Sequence, residues 1–280
     1  MNIDPTSISK FVPILQEIHE AVKSLDFGEA EVPWFRGQDD ASHDLLPSLF
    51  RPTTLKRFAG PERAAKMSTD QQRDALLRLE SDVYFEFAAK SSAVLNGART
   101  AWDTLFLMRH YGLPTRTLDW SETLGVSLFF AVGNLDLTLN RAAAIWILNP
   151  YALNGETWGG RDTVLPRFLA APTRHDAACD YDQLLAYWGH SSFRFDGPVA
   201  VCPDRLNERM HAQAGSFTIH GNDPDAINLH THAKNFVRKV EIPHTACEGA
   251  KAFLRIAGIS ERSLFPGLDG LSREMRARYG

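Results

Sequence analysis

Apolar residues set a helical rhythm over 7–26, where Phe11, Ile14, Leu15, Ile18, Val22 and Leu25 recur at steps of three or four. Pro13 falls near the first turn of that helix, and Gly28 closes the region. The segment 32–38, VPWFRGQ, is aromatic and β-branched with a glycine near its end, which predicts a strand running into a turn. Residues 39–68 lose periodicity under Pro47, Pro52, Gly60 and Pro61. Thr69 and Gln72 then fit a capping box at the start of a long helix that buries Leu76, Leu79, Val83 and Phe87, with Glu80 beside the stripe.

The span 102–111 predicts another helix, stopped by Gly112 and Pro114. Residues 114–120 read as a tight connection, and Ser121 as the cap of a helix through Val132. Strands are expected over 142–148, 198–202, 216–220 and 236–242. In the last of these, Phe236, Val240 and Ile242 alternate with Lys239 and Glu241. Helices are expected over 203–213, with Pro203 opening it, over 246–257, and after Pro266. Helices dominate the first half and strands recur in the second without strict alternation. The predicted class is therefore α+β, a mixed sheet core with flanking helices. The expected organisation is a helical N-terminal extension over 1–30 and one domain over 31–280.

Composition adds limits. The chain has 280 residues, 44% hydrophobic and 23% charged, which suits one large globular domain. A net charge of -4 excludes a generally basic nucleic-acid coat but leaves room for a local basic groove. The longest apolar run, 142–148, is far short of the ~20 residues that span a bilayer, and the N-terminus lacks a secretion-signal pattern. Three scattered cysteines argue against zinc ribbons and disulfide scaffolds, so a reducing cytoplasm is the expected compartment, with no membrane partner.

Candidate chemistry concentrates in two segments. The stretch 109–131 places His110, Tyr111, Thr115, Arg116, Asp119 and Trp120 close to a glycine and a proline. Polar side chains on a short turn between helices are both fixed and exposed, as a site requires. Capping accounts for any one of them but not for the cluster. The second segment is Trp34-Phe35-Arg36-Gly37-Gln38. An arginine at a strand end beside a glycine can grip a phosphate or carboxylate with its fork, or can simply satisfy loop carbonyls. His230-x-His232 lacks partnered ligand spacing, so no metal is expected, and these histidines read as surface residues of a polar loop.

Together the two segments resemble the FRG domain, a family named for its Phe-Arg-Gly motif. Phe35-Arg36-Gly37 supplies that motif, followed by Gln38. The run from His110 to Ser121, HYGLPTRTLDWS, resembles the second hallmark and leads into Phe129-Phe130-Ala131. Thr117 stands where leucine is usual, and Arg109 where the family often has glutamine. Further similarity lies in Leu46-Pro47-Ser48-Leu49, the Glu80 helix, Arg209-x-x-x-Gln213-x-Gly215-x-Phe217, and the ending Leu264-Phe265-Pro266. Members of the family look bacterial or phage-associated, which implies a toxin or phage-defence setting.

A weaker similarity is to ADP-ribosyltransferases of the Arg-Ser-Glu type. It implies an enzyme that uses NAD to modify a macromolecule, nucleic acid or protein, and a partner protein that neutralises it. Under that resemblance Arg36, Gly37 and Gln38 hold the NAD phosphates, and Thr115, Arg116 and Asp119 shape the nicotinamide–ribose pocket. Tyr111 or Trp120 stacks on the nicotinamide ring. His110 serves the acceptor or the ribose. The acidic role falls to Glu241 or Asp119, or is completed by Gln213, because a carboxylate stabilises the oxocarbenium character of glycosidic cleavage. Two other readings stay open: a nucleotide- or partner-binding module without turnover, and a metal-dependent nuclease.

Overall fold

The computed structural model describes residues 5–91, 101–165, 197–203, 211–221 and 223–279. Two short helices, α1 (Pro5–Ser9) and α2 (Val12–Lys23), lead into strand β1 (Trp34–Gln38). Helices α3 (Pro52–Ala59), α4 (Pro61–Lys66), α5 (Thr69–Ser91) and α6 (Ala101–His110) follow. Then come β2 (Thr117–Ser121), α7 (Leu124–Leu128), a π-turn (Phe129–Gly133), β3 (Ala143–Leu148) and α8 (Pro150–Thr157). Strands β4 (Val199–Val201), β5 (Gly215–Ile219) and β6 (Val237–Ile242) precede α9 (His244–Ile256), α10 (Glu261–Leu264) and α11 (Leu268–Tyr279).

The strands form one sheet in the order β4-β5-β2-β1-β3-β6. The class is α+β, as the pattern predicts. Every ladder in this sheet is antiparallel rather than mixed, with a lone parallel bridge between Val164 and Val201. The ladder between β1 and β3 runs over five residue pairs, whereas β1 and β2 share only Phe35 opposite Ser121. The sheet therefore opens in its middle, between Gly37 and Asp119.

Strand alternation sorts the core. On one face, Phe35, Ile145, Ile147, Val240 and Ile242 pack against α2, α7, the π-turn and α9. The same face of the other half carries Phe217, Ile219, Val199 and Val201 under α5 and α6. The cleft described below lies where these two helical covers part. The opposite face buries Trp34, Trp120 and Trp146 beneath Leu153 of α8 and the short turns around Ile227 and Phe236. Helix α2 is built into the first core through Ile14 and Ile18, with Phe11 at its N-terminal cap.

Several local expectations are corrected. The capping box sits one residue earlier: Ser68 N donates to Gln71 Oε1 and Gln71 N to Ser68 Oγ, while Gln72 Nε2 reaches Met67 O. The connection expected over 114–120 contains strand β2, because Thr117, Asp119 and Ser121 share a face that is only partly filled by apolar groups. Ser121 does not cap α7. Its hydroxyl accepts from Thr123 N at 3.0 Å and donates to Gln213 O at 2.7 Å, tying β2 to the approach of β5. Gly112 ends α6 in the left-handed region (φ 79°), where a side chain would be strained. Most of the helix expected over 203–213 lies outside the described residues, as does Cys179.

Candidate functional site

A cavity of about 470 Å³ occupies the opening of the sheet. Its floor is β1, β2 and β5, through Phe35, Arg36, Gly37, Asp119, Ser121 and Phe217. The end of α6 gives Phe106, Arg109 and His110, and α7 with its π-turn gives Val126, Ser127 and Phe130. Arg51 and His43 close one end, and Gln213 lies at the wall.

Each residue of the Phe-Arg-Gly motif has a distinct physical task. Phe35 is buried in the core. Gly37 lies directly beneath α7: a Cβ there would stand 1.8 Å from Ser127 O and 2.7 Å from Ala131 N. Arg36 crosses the opening, and its Nη1 donates to Asp119 O at 2.7 Å, so a side chain ties β1 to β2 where the backbone ladder has stopped. Gln38 Oε1 accepts from Trp146 Nε1 at 2.6 Å and braces the far end of β1.

Asp119 is the electrostatic hub. Arg109 grips its carboxylate as a fork, with Nε 2.8 Å from Oδ2 and 3.1 Å from Oδ1, and Nη2 2.5 Å from Oδ2. Arg36 Nη1 stands 3.6 Å from Oδ2. Burial alone would raise the Asp119 pKa, but the Arg109 charge and hydrogen bonds, with Arg36 behind them, hold it below the usual carboxylate range. Asp119 in turn raises the pKa of Arg109 despite burial. Burial lowers Arg36 to about 10, with Arg109 and Arg51 adding to the effect against the pull of Asp119. Arg51 makes a long bond from Nε to Leu46 O (3.4 Å), and its terminal nitrogens have no acceptor among the described residues. Three guanidinium groups thus face one carboxylate they share, since Asp39 is taken by Arg141 at 2.6 Å.

Of the sequence candidates, Arg36, Gly37, Gln38, His110, Asp119, Trp120 and Gln213 border this cavity, but the Trp120 indole is buried on the opposite face of the sheet, where its Nε1 donates to Thr218 Oγ1 at 3.0 Å, so it is not placed to stack on a ligand ring. The other four do not border it. Glu241 is exposed on β6, two strands beyond β1, where its Oε1 accepts from Lys239 Nζ at 2.7 Å. Tyr111 stands outside at 66% exposure, its ring edge-on to His110. Thr115 is fully buried and shares a 2.8 Å hydrogen bond with the Thr117 hydroxyl. Arg116 is buried too, its Nε 2.7 Å from Glu80 Oε2, while Glu80 Oε1 accepts from Arg116 N at 2.8 Å. These last two residues fix the start of β2 rather than meet a ligand.

Arg51, Arg109, His43 and Phe130 complete the lining without having been candidates. Arg109 had a readable signal: it follows Leu105-Phe106-Leu107-Met108, all buried, so its guanidinium must find an acceptor near the core. Arg51, beside Pro52 in an aperiodic stretch, carried no such signal. The histidines divide. His220 is buried, its Nε2 is 3.1 Å from Asp225 O, and burial pushes its pKa down to about 3. His232 is exposed and meets Glu156 Oε2 at 2.9 Å. Among the described residues no group of three or more His, Cys, Asp or Glu side chains converges as a metal set.

The segment that carries both the Arg36 strand and the Asp119 strand has a counterpart among known families: residues 32–140 match the family model described as FRG domain. Over this stretch the chain is similar to the FRG domain. The matched stretch holds β1 and β2 with the helices between them, which give part of the floor and one wall of the cavity. Residues beyond the match, from Gln213 to Phe217, supply the rest of the floor and another part of the wall. No curated protein and no solved structure matches the chain. Among the described residues no helix is long and apolar enough to cross a membrane.

Proposed function

We propose that the FRG-domain cleft binds a nucleotide carrying a pyrophosphate, with NAD the leading candidate, and that the chain is an NAD-using transferase of the ADP-ribosyltransferase kind. The observation that carries this reading is the convergence of Arg36, Arg51 and Arg109 on a cavity that holds one shared carboxylate, Asp119. Three positive charges against one negative leave an excess of two, which matches a pyrophosphate diester. Phe106 and Phe217, stacked with centroids 4.5 Å apart, and Phe130 offer apolar surface for a planar base or nicotinamide ring. In the reaction, the bond between nicotinamide and ribose breaks and its electron pair leaves with nicotinamide. The carboxylate of Asp119 stabilises the ribosyl cation, and a nucleophile of the acceptor macromolecule closes the new bond to the ribose and gives up its proton to solvent.

The second reading is a binding module without turnover. The ion pairing of Asp119 and the position of Glu241 outside the cavity favour it, because neither leaves an unengaged carboxylate at the ligand. One experiment separates the two. The purified chain is incubated with NAD labelled in the adenylate half, with and without a cell lysate. The transferase reading expects nicotinamide release and transfer of label, both abolished by Arg36→Ala. Binding of NAD with no nicotinamide released leaves the module, and no binding by the folded chain contradicts both. The toxin or phage-defence setting, an acceptor macromolecule, a neutralising partner and a cytoplasmic location belong to the same proposal. Growth of cells expressing the wild-type chain against the Arg36→Ala chain tests that setting.

A further inference from the structure

The Asp119 carboxylate lies on the cavity side of its own cations. Its side chain is 46% exposed, whereas those of Arg36 and Arg109 are 12% and 16% exposed. An anion entering the cavity therefore meets Asp119 before it can reach the Arg109 fork. A carboxylate and a phosphate present the same pair of oxygens to a guanidinium, so the two compete for one seat.

Both arginines are also held by bonds that do not involve this carboxylate. Arg109 Nη1 donates to Ser48 Oγ at 3.2 Å, and that hydroxyl also accepts from Thr115 N at 3.4 Å. Arg36 Nη1 donates to the backbone carbonyl of Asp119 at 2.7 Å. The cations thus stay in place whichever anion sits on them. Arg36 Nε is buried without a hydrogen-bond partner. Arg51 adds a third charge, which a dianion exploits more than a monoanion does.

We propose that Asp119 occupies the seat of a ligand phosphate. On binding, a phosphate oxygen pair takes over the Arg109 fork and the Arg36 Nη1, and the carboxylate is released into the cleft. This rests on the reading of the cleft as a phosphate site and deepens it by giving Asp119 two states. Without ligand it is a counter-ion. With ligand it is a carboxylate freed from its strongest partner and placed beside the bound molecule. The ligand class follows: phosphate esters that present two negative charges together, such as a pyrophosphate diester or a phosphomonoester, in preference to single carboxylates.

The test is a calorimetric titration of the wild-type chain and of Asp119→Asn with inorganic pyrophosphate at fixed ionic strength. Removal of the competing anion is expected to tighten binding at least tenfold. Equal or weaker binding by Asp119→Asn, with wild-type binding intact, overturns the exchange while leaving the phosphate site standing. Absence of binding by both folded proteins overturns the exchange and the site together. Asp119→Ser, which leaves Arg109 a small acceptor, serves where the asparagine variant does not fold. The wild-type chain gives a variant-free readout. The 15N resonance of Arg109 Nε moves as pyrophosphate saturates if its partner changes, and a resonance that stays fixed on saturation overturns the exchange.

Discussion

Replacement of Glu80 by alanine is expected to cost about 3–5 kcal/mol of folding stability, the usual loss when one member of a buried ion pair is removed. Glu80 and Arg116 are both buried, and Glu80 accepts from the Arg116 backbone as well as from its guanidinium. Without the carboxylate the charged guanidinium remains in the interior. Burial already lowers the Arg116 pKa against the opposing effect of Glu80, so removing Glu80 leaves only the unfavourable contribution. A domain of this kind has about 5–15 kcal/mol in total, so the variant is expected at the edge of folding. Urea unfolding followed by circular dichroism reads the loss, and a midpoint equal to wild type contradicts the structural role given to this pair. Glu80→Gln keeps an acceptor for Arg116 N and is expected to lose less.

The second large effect is expected at Gly37. An alanine methyl would overlap Ser127 O and crowd Ala131 N, both backbone atoms of the helix and π-turn above. Neither atom can swing aside as the end of a long side chain could, so α7 must lift from the sheet. Overpacking of this severity costs about 3 kcal/mol, at the upper end of the usual range. It also moves Ser127 and Phe130, which line the cavity, so ligand binding is expected to fall even where the variant folds. Thermal unfolding and pyrophosphate titration of Gly37→Ala check the two consequences, and wild-type values in both contradict the close approach of α7 to β1.

The residues that make these predictions were unevenly legible in the chain. The class and most helices followed from spacing, because α2, α6 and α9 carry apolar residues on one face or throughout. Strand β2 did not. Its Asp119 and Ser121 line the cavity and its Thr117 pairs with the buried Thr115 hydroxyl, so the apolar alternation that marks a strand is missing on one side. The likeness to the FRG domain brought Arg36 and Asp119 forward together, and they meet. Arg116 and Thr115 stand close to Asp119 in sequence but are buried, a distinction made by burial alone. Glu241 reads as a late-strand acid, yet the strand order places it at the sheet edge beside β3. Arg51 enters the site through folding of the long aperiodic segment, which no local pattern encodes, whereas Arg109 closes the apolar run at the end of α6.

The central claim is that the opening between β1 and β2 is a seat for a pyrophosphate-bearing ligand. A crystal structure of the wild-type chain with ADP-ribose tests it most directly. The account predicts phosphate oxygens within hydrogen-bond distance of Arg36, Arg51 and Arg109, with the Asp119 carboxylate turned away from the Arg109 fork. Ligand bound elsewhere on the chain, with Asp119 still clasped and the cavity unfilled, would contradict it.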